Sequence, residues 1–238
     1  MAKINLKKGL TDVVLYIIIF IVVQIFLTYA GAGIWAAVKG EGYQATLLAM
    51  GTGNNAILTA LITVFSNVIT LIIFLKAKWT PLTRNYLQSK PWISLLWVAL
   101  FTLGAIIPLE FVYEQIGVEM DADTERVFAS LMKEPWGYVA IGILAPLAEE
   151  IVFRGAILRT LLDMVSKKNH WVAIFISAAA FGLIHGNKAQ FINALLMGLL
   201  LGWMYYRTKS LVPGILMHWV NNTMAYVLNN LMPQSDGK

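Results

Sequence analysis

Apolar residues fall along the chain in long runs, separated by short polar stretches. A helix needs about 20 mostly apolar residues to cross a bilayer. Seven runs approach that length: Val13–Val38, Ala56–Leu75, Trp92–Phe111, Gly137–Leu158, Trp171–His185, Phe191–Tyr206 and Leu211–Leu231. The fifth and sixth are short, which predicts a kinked or partly inserted segment at each. An interfacial helix over Ala45–Asn55 would make eight helices in all. The pattern predicts an all-α, polytopic transmembrane helix bundle of seven spans, or eight helices with that addition. Residues 1–136 read as N-terminal transmembrane helices and loops, and residues 137–231 as a catalytic transmembrane core, within one continuous membrane domain.

The charges between the runs orient the bundle. The N-terminal tail carries Lys3, Lys7 and Lys8, and residues 76–90 carry Lys76, Lys78, Arg84 and Lys90, with no acid in either. Lys167 and Lys168 follow the fourth run, and Arg207 and Lys209 follow the sixth. Residues 112–135 instead hold six acids (Glu114, Glu119, Asp121, Asp123, Glu125 and Glu134) against Arg126 and Lys133. Basic loops stay on the cytoplasmic side, so the alternation predicts an internal N-terminus and an external C-terminus. Loop lengths and charges fit a multi-pass protein of a bacterial cytoplasmic membrane. The first run, with Ala30-Gly31-Ala32 after a basic start, has features of a cleaved signal peptide, but it is long for one. It is expected to remain as a span.

Composition agrees with lipid as the solvent. The chain has 238 residues, 58% hydrophobic and 13% charged, against roughly 45–50% and about 25% in soluble domains. It has no Cys, which excludes thiolate catalysis, disulfides and Cys-based zinc sites. The net charge of +5 is explained by the cytoplasmic loops. No basic stripe is interleaved with aromatics, and nucleic acid is not an expected partner. Gly198 and Gly202 form a small-xxx-small pair that suits close helix packing.

Ionisable residues inside spans are costly and point to function. Three places carry them. In Glu149-Glu150-Ile151-Val152-Phe153-Arg154, the adjacent carboxylates point about 100° apart on an α-helix and should not face one partner. Glu150 and Arg154 are spaced for an i,i+4 ion pair, which leaves Glu149 to face a cavity. The competing reading is a structural pair near the cytoplasmic end, with Arg154 snorkelling to the interface. In Phe181-Gly182-Leu183-Ile184-His185, the histidine closes an apolar run, and a hydrogen-bonded helix end is the plain alternative to chemistry. In His218-Trp219-Val220-Asn221-Asn222, His218 and Asn222 share a helical face and Asn221 points elsewhere. Interhelical hydrogen bonding would also account for that pair.

With these residues in hand, the chain resembles the CAAX-protease and bacteriocin-processing family of intramembrane endopeptidases, which includes the Ras-converting prenyl-protein proteases. The resemblance rests on Glu149-Glu150…Arg154, Phe181…His185 and His218…Asn222, in that order, with Gly198…Gly202…Tyr206-Arg207-Thr208…Ser210-Leu211…Pro213 between. It spans about residues 137–226. It implies hydrolysis of a peptide bond within the membrane, in a membrane-associated or peptide substrate, by CAAX-type or bacteriocin-type processing. Glu149 would activate the water with help from His185, and His218 and Asn222 would donate to the oxyanion. Glu150, Arg154 and Phe181 would support the site. The partners implied are the lipid bilayer and a peptide or protein substrate.

Alternatives stay open. Glu149, His185 and His218 could instead bind zinc with a position left for water, although no His-Glu-x-x-His helix is present; the reading preferred from the sequence has no metal. The chain could be a catalytically silent protein of the same fold, acting in bacteriocin self-immunity or regulating a partner. A proton-coupled transporter is the third possibility, against which stands the lack of an evident internal repeat. Depth poses a difficulty. At 1.5 Å per residue, Glu149 lies about 14 Å from Leu158, His218 about 11 Å from Leu211 and His185 about 21 Å from Trp171. They meet only if the fifth span tilts or starts deeper, or if the fourth continues through Arg159–Met164.

Overall fold

The computed structural model describes residues 5–117 and 120–231, without the side chains of 110, 112–114 and 116. Of the charges used above, Lys3 and Glu119, and the side chain of Glu114, lie outside the described residues. The described chain is all-α. Helix α1 (Leu6–Lys39) is followed by the short α2 (Tyr43–Gly51) at the expected interfacial segment, then by α3 (Ala56–Lys76), a turn of helix α4 (Asn85–Gln88), α5 (Trp92–Ile116) and α6 (Ala122–Lys133). A continuous rod, α7, covers residues 135–164. It joins α-helical Pro135–Gly137, π-helical Tyr138–Leu144, α-helical Ala145–Glu149, π-helical Glu150–Leu158 and α-helical Arg159–Met164. Helices α8 (His170–Leu183), α9 (Lys188–Thr208) and α10 (Val212–Leu231) complete the bundle.

Polar caps set several helix starts, as expected where the first backbone N–H groups lack partners. Asn5 accepts from the Lys7 N–H, Asn55 from Leu58, Asp121 from Thr124 and Asn187 from Gln190. Helix α1 stops at Gly40, which takes φ 69° and returns its N–H to the Ala36 carbonyl.

Four helical stretches are long and apolar enough to cross a membrane: Leu6–Lys39, Ala56–Lys76, Trp92–Leu109 and Lys188–Thr208. Their outward faces carry Ile25, Phe26, Phe65, Ile72, Trp97 and Ile107, all exposed. Patches of that size are unusual on a soluble monomer. The sixth run, expected to be short, belongs to the full-length helix α9. The fourth, fifth and seventh runs lack that length or apolarity for physical reasons. Helix α7 carries three acids and two arginines, α8 has 14 residues, and α10 carries His218, Asn221, Asn222, Asn229 and Asn230.

The core surrounds α7. Ile151, Val152, Phe153, Ala156, Ile157 and Leu158 are buried against Val13, Tyr16 and Phe20 of α1, Phe74 of α3, and Ile174 and Phe181 of α8. The π-helical segments take side-chain donors from neighbouring elements. In the first, the Ala140 carbonyl accepts from Asn67 Nδ2 at 3.4 Å and the Ile141 carbonyl from Asn222 Nδ2 at 3.0 Å. In the second, Thr80 Oγ1 donates to Ile151 at 2.7 Å and Ser177 Oγ to Phe153 at 2.9 Å. A carbonyl has two lone pairs, so these bonds add to the helix's own. The glycine pair packs as its spacing implied: a Cβ on Gly198 would stand 2.9 Å from the Ala178 Cβ, and one on Gly202 2.9 Å from Ile174.

The depth difficulty resolves in two ways. Helix α7 does run on through Arg159–Met164, so its C-terminal end is about 22 Å from Glu149 if the α-helical rise of 1.5 Å per residue is taken throughout. That matches the estimate for His185. The start of α10 is itself sunk in the core, where Leu211, Pro213 and Gly214 are buried. His218 therefore needs fewer turns to reach the same level.

Candidate active site

Two adjacent carboxylates on α7 have different surroundings. The Glu150 side chain is 1% exposed and its Oε1 accepts from Arg154 at 2.9 Å. Arg154 is fully buried and does not snorkel. Its guanidinium lies 4.5 Å from the centre of the Phe181 ring, a cation–π contact. Among the described residues, Arg154 Nε and NH2 and Glu150 Oε2 have no hydrogen-bond partner. Gly214 makes room here, since a Cβ on it would stand 2.7 Å from Glu150 Oε2. The Glu149 side chain, by contrast, is 16% exposed and lines a cavity of about 350 Å³.

His218 lies between the two. Its Nε2 is 3.5 Å from Glu149 Oε2 and its Nδ1 is 3.5 Å from Glu150 Oε1. The expectation that adjacent carboxylates would not share a partner is therefore corrected. An imidazole has two nitrogens on separate edges, and the wider π-helical turn starts at Glu150. Glu149 faces the cavity, as the sequence reading expected, and His218 as well.

His185 follows the end of α8 and lines the same cavity. Its Nδ1 is 2.8 Å from the Phe181 carbonyl oxygen. A carbonyl only accepts, so in the neutral ring Nδ1 carries the proton and Nε2 presents a lone pair. Phe181 connects the set through its ring. It meets His185 edge-on at 5.0 Å and His218 edge-on at 5.9 Å between centroids.

Asn222 also lines the cavity. One amide hydrogen goes to the Ile141 carbonyl, and Oδ1 accepts from Asn221 Nδ2 at 3.2 Å. Among the described residues, no further acceptor meets the second hydrogen of the Asn222 amide. Asn221 was expected to point elsewhere, yet it too lines the cavity, because it follows His218 by three residues and residues three and four apart share one face of a helix. The cavity thus brings together Glu149, His185, His218 and Asn222, with Glu150 and Arg154 behind and Phe181 between.

The sequence reading missed part of the wall. Thr63 of α3, Gln190 and Asn193 of α9, and Met120, Phe128 and Met132 in or beside α6 line the cavity as well. Gln190 and Asn193 are polar residues three apart at the start of an apolar helix, which was a usable signal. The apolar face of α6 offered none, since it looks like any amphipathic surface helix. The alternative zinc set is not assembled: among the described residues, no three His, Asp or Glu side chains are grouped so as to hold a metal ion.

Comparison with known proteins adds to this geometry. Residues 131–224 match the Rce1-like family, described as type II CAAX prenyl endopeptidase Rce1-like. The matched stretch contains every residue of the cluster from Glu149 to Asn222. The chain is similar to YdiL of Bacillus subtilis (strain 168), a candidate membrane peptidase by its name, with 29% identity over 110 residues. That alignment covers 44% of this chain and 43% of YdiL, less than half of the relative's length. No solved structure matches the chain.

Proposed function

We propose, from the match of residues 131–224 to the Rce1-like CAAX prenyl endopeptidase family, that this chain is an intramembrane endopeptidase that hydrolyses a peptide bond with a Glu149-activated water. The observation that carries the reading is the division of labour between neighbouring carboxylates. Glu150 is sealed in an ion pair, while Glu149 alone of the two meets the cavity.

The steps follow from the side chains. Water entering the cavity donates one proton to Glu149, and the lone pair on His185 Nε2 orients it. Its oxygen attacks the substrate carbonyl carbon, and the carbonyl π bond opens to an oxyanion. N–H groups of His218 and Asn222 receive that oxyanion; donors of this kind contribute ~2.7–4 kcal/mol each in known cases. Collapse re-forms the carbonyl, breaks the C–N bond, and returns the proton from Glu149 to the leaving amine. Glu150, Arg154 and Phe181 hold His218 and the helix turn in place. No Ser, Cys or metal is needed by this scheme.

The proposal extends to topology: seven crossings, with α7, α8 and α10 completing a bundle around the four apolar helices, in a bacterial cytoplasmic membrane with the N-terminus inside. Residues 137–231 would be its catalytic core. Purified protein in detergent, incubated with a quenched fluorescent peptide library, tests the activity. Cleavage that survives a chelator is the expected result. Cleavage abolished by chelator and restored by zinc would overturn the metal-free scheme, and no cleavage of any peptide would overturn the protease.

A further inference from the structure

We infer that Gln190 is a substrate-binding residue: its side-chain NH2 donates to a main-chain carbonyl of the bound polypeptide, and Asn187 fixes the direction of that donor. The inference rests on the protease reading above. It adds which part of the substrate is read there, the backbone rather than a side chain.

The turn after α8 carries His185, then Gly186 at φ 76°, then Asn187, the cap residue of α9. The Asn187 side chain accepts from the Gln190 backbone N–H at 2.9 Å. A backbone N–H only donates, so the atom that meets it is the amide oxygen, Oδ1. That assignment makes Nδ2 the Asn187 atom that lies 2.9 Å from the Gln190 side chain. Nδ2 in turn only donates, so its partner is Oε1. The remaining atom of the Gln190 amide is Nε2, with two hydrogens. Among the described residues no acceptor meets them, and Gln190 lines the cavity together with His185. In an ordinary capping box the third helical side chain returns to the backbone N–H of the cap residue. Here it returns to the cap's side chain, which orients the Gln190 amide as well as the helix.

A polypeptide cleaved in this cavity needs such a donor. The carbonyl to be attacked cannot be held in an α-helix, where the N–H four residues on would occupy it. An unwound segment carries one N–H and one carbonyl per residue, and leaving them unpaired away from water is costly. The N–H groups of His218 and Asn222 are engaged by the oxyanion. The Thr63 hydroxyl is already spent on the Thr59 carbonyl at 2.8 Å. Gln190 supplies a donor for a carbonyl other than the one attacked. Such a bond is made equally in the ground state and the transition state, so its loss raises KM and leaves kcat unchanged.

Three variants separate this role from capping. Gln190→Glu keeps an oxygen for Asn187 Nδ2 and suits a capping box, but loses the NH2. Gln190→Met loses both. Asn187→Asp keeps the cap oxygen for the Gln190 N–H and offers a second oxygen in place of Nδ2, which draws the Gln190 NH2 away from the cavity. KM and kcat are measured on two cleaved library peptides of unrelated sequence. Peptide Kd is measured by fluorescence anisotropy on the same variants carrying Glu149→Gln, where no cleavage is needed. All three are expected to raise KM and Kd about 3–10-fold, the loss of one hydrogen bond, for both peptides and with kcat near that of the parent. Asn187→Asp and Gln190→Glu should unfold like the parent. Parent-like KM in Gln190→Glu or Asn187→Asp would reduce Gln190 to a cap and overturn the inference. So would a fall in kcat at constant KM, or a loss confined to one peptide sequence. If the parent cleaves nothing, the protease reading falls, and the Kd of the tightest-binding library peptide decides for Gln190. An unchanged Kd, or no binding of any peptide, would overturn the inference as well.

Discussion

At Asn222, one amide serves structure and substrate at once. One Nδ2 hydrogen is bound to the Ile141 carbonyl, and the other can meet an oxyanion. Asn67 provides a matched comparison, since its Nδ2 reaches the neighbouring carbonyl of Ala140 but it does not line the cavity. Asn67→Ala removes one buried hydrogen bond and Asn222→Ala two part-buried ones, at about 1 kcal/mol each. Asn222→Ala should in addition slow turnover by ~10²–10³-fold, the usual loss of an oxyanion donor, with little change in KM. Asn67→Ala should lower Tm and leave kcat near that of the parent. Steady-state kinetics and thermal unfolding of the two purified variants check this; equal effects on kcat would remove Asn222 from the chemistry. The sequence made Asn222 visible as a polar residue on an apolar helix, four after a histidine. It did not reveal that His218 reaches both carboxylates, because helical spacing assumes 100° per residue and α7 departs from it where it becomes π-helical. π-helical turns are often found at functional sites.

Two elements set the packing around the cavity. The first is the α8–α9 seam. A Cβ on Gly198 would also come within 3.0 Å of the Ala178 Cα, a backbone atom with little freedom to yield. Overpacking of this kind costs ~1–3 kcal/mol, so Gly198→Ala should lower the Tm and reduce the folded fraction in detergent. An unchanged unfolding curve would show that the helices can part freely. The second is α6, which supplies Phe128 and Met132 to the wall. Its cap residue Asp121 has its carboxyl held below the usual carboxylate range, chiefly by the Thr124 hydroxyl and then by the Thr124 N–H. A depressed folded-state pKa means that the cap's contribution is complete above the unfolded pKa and is lost as pH falls through the folded value. Amide hydrogen exchange in the first turn of α6 should therefore quicken, after correction for intrinsic rates, only on acidification below the ordinary carboxylate range. Asp121→Asn should remove that dependence, and a wild-type profile as flat as the variant's would contradict it. The long apolar helices were legible from their runs. The mixed helix type of α7 was not, because it depends on donors such as Thr80 and Ser177 that approach from distant parts of the sequence.

For the molecule as a whole, the bilayer governs where polar groups are tolerated. The four most apolar helical stretches offer lipid-compatible surfaces, and three charged residues of α7 are gathered in its middle, where Glu150 and Arg154 pair with each other and Glu149 keeps access to the cavity. A membrane bundle would gain little stability from such a cluster, since buried pairs seldom repay their desolvation. Its retention is understandable if Glu149 needs a fixed floor. The sequence located this cluster to the residue, while its meeting point with His185 and His218 required the extension of α7 and the sunken start of α10, which no local pattern encodes. The account stands or falls on the unlike roles of two neighbouring glutamates, so the direct measurement is a crossed one. Glu149→Gln and Glu150→Gln are purified, and each is assayed for turnover of one cleaved peptide and for thermal stability. Glu149→Gln should lose turnover while unfolding like the parent, because Gln keeps the shape and removes the base. Glu150→Gln should lose stability first, by about 3–5 kcal/mol as for other broken buried pairs, while its folded fraction retains more turnover than Glu149→Gln. Full turnover in Glu149→Gln, or an inactive but fully stable Glu150→Gln, would contradict the account.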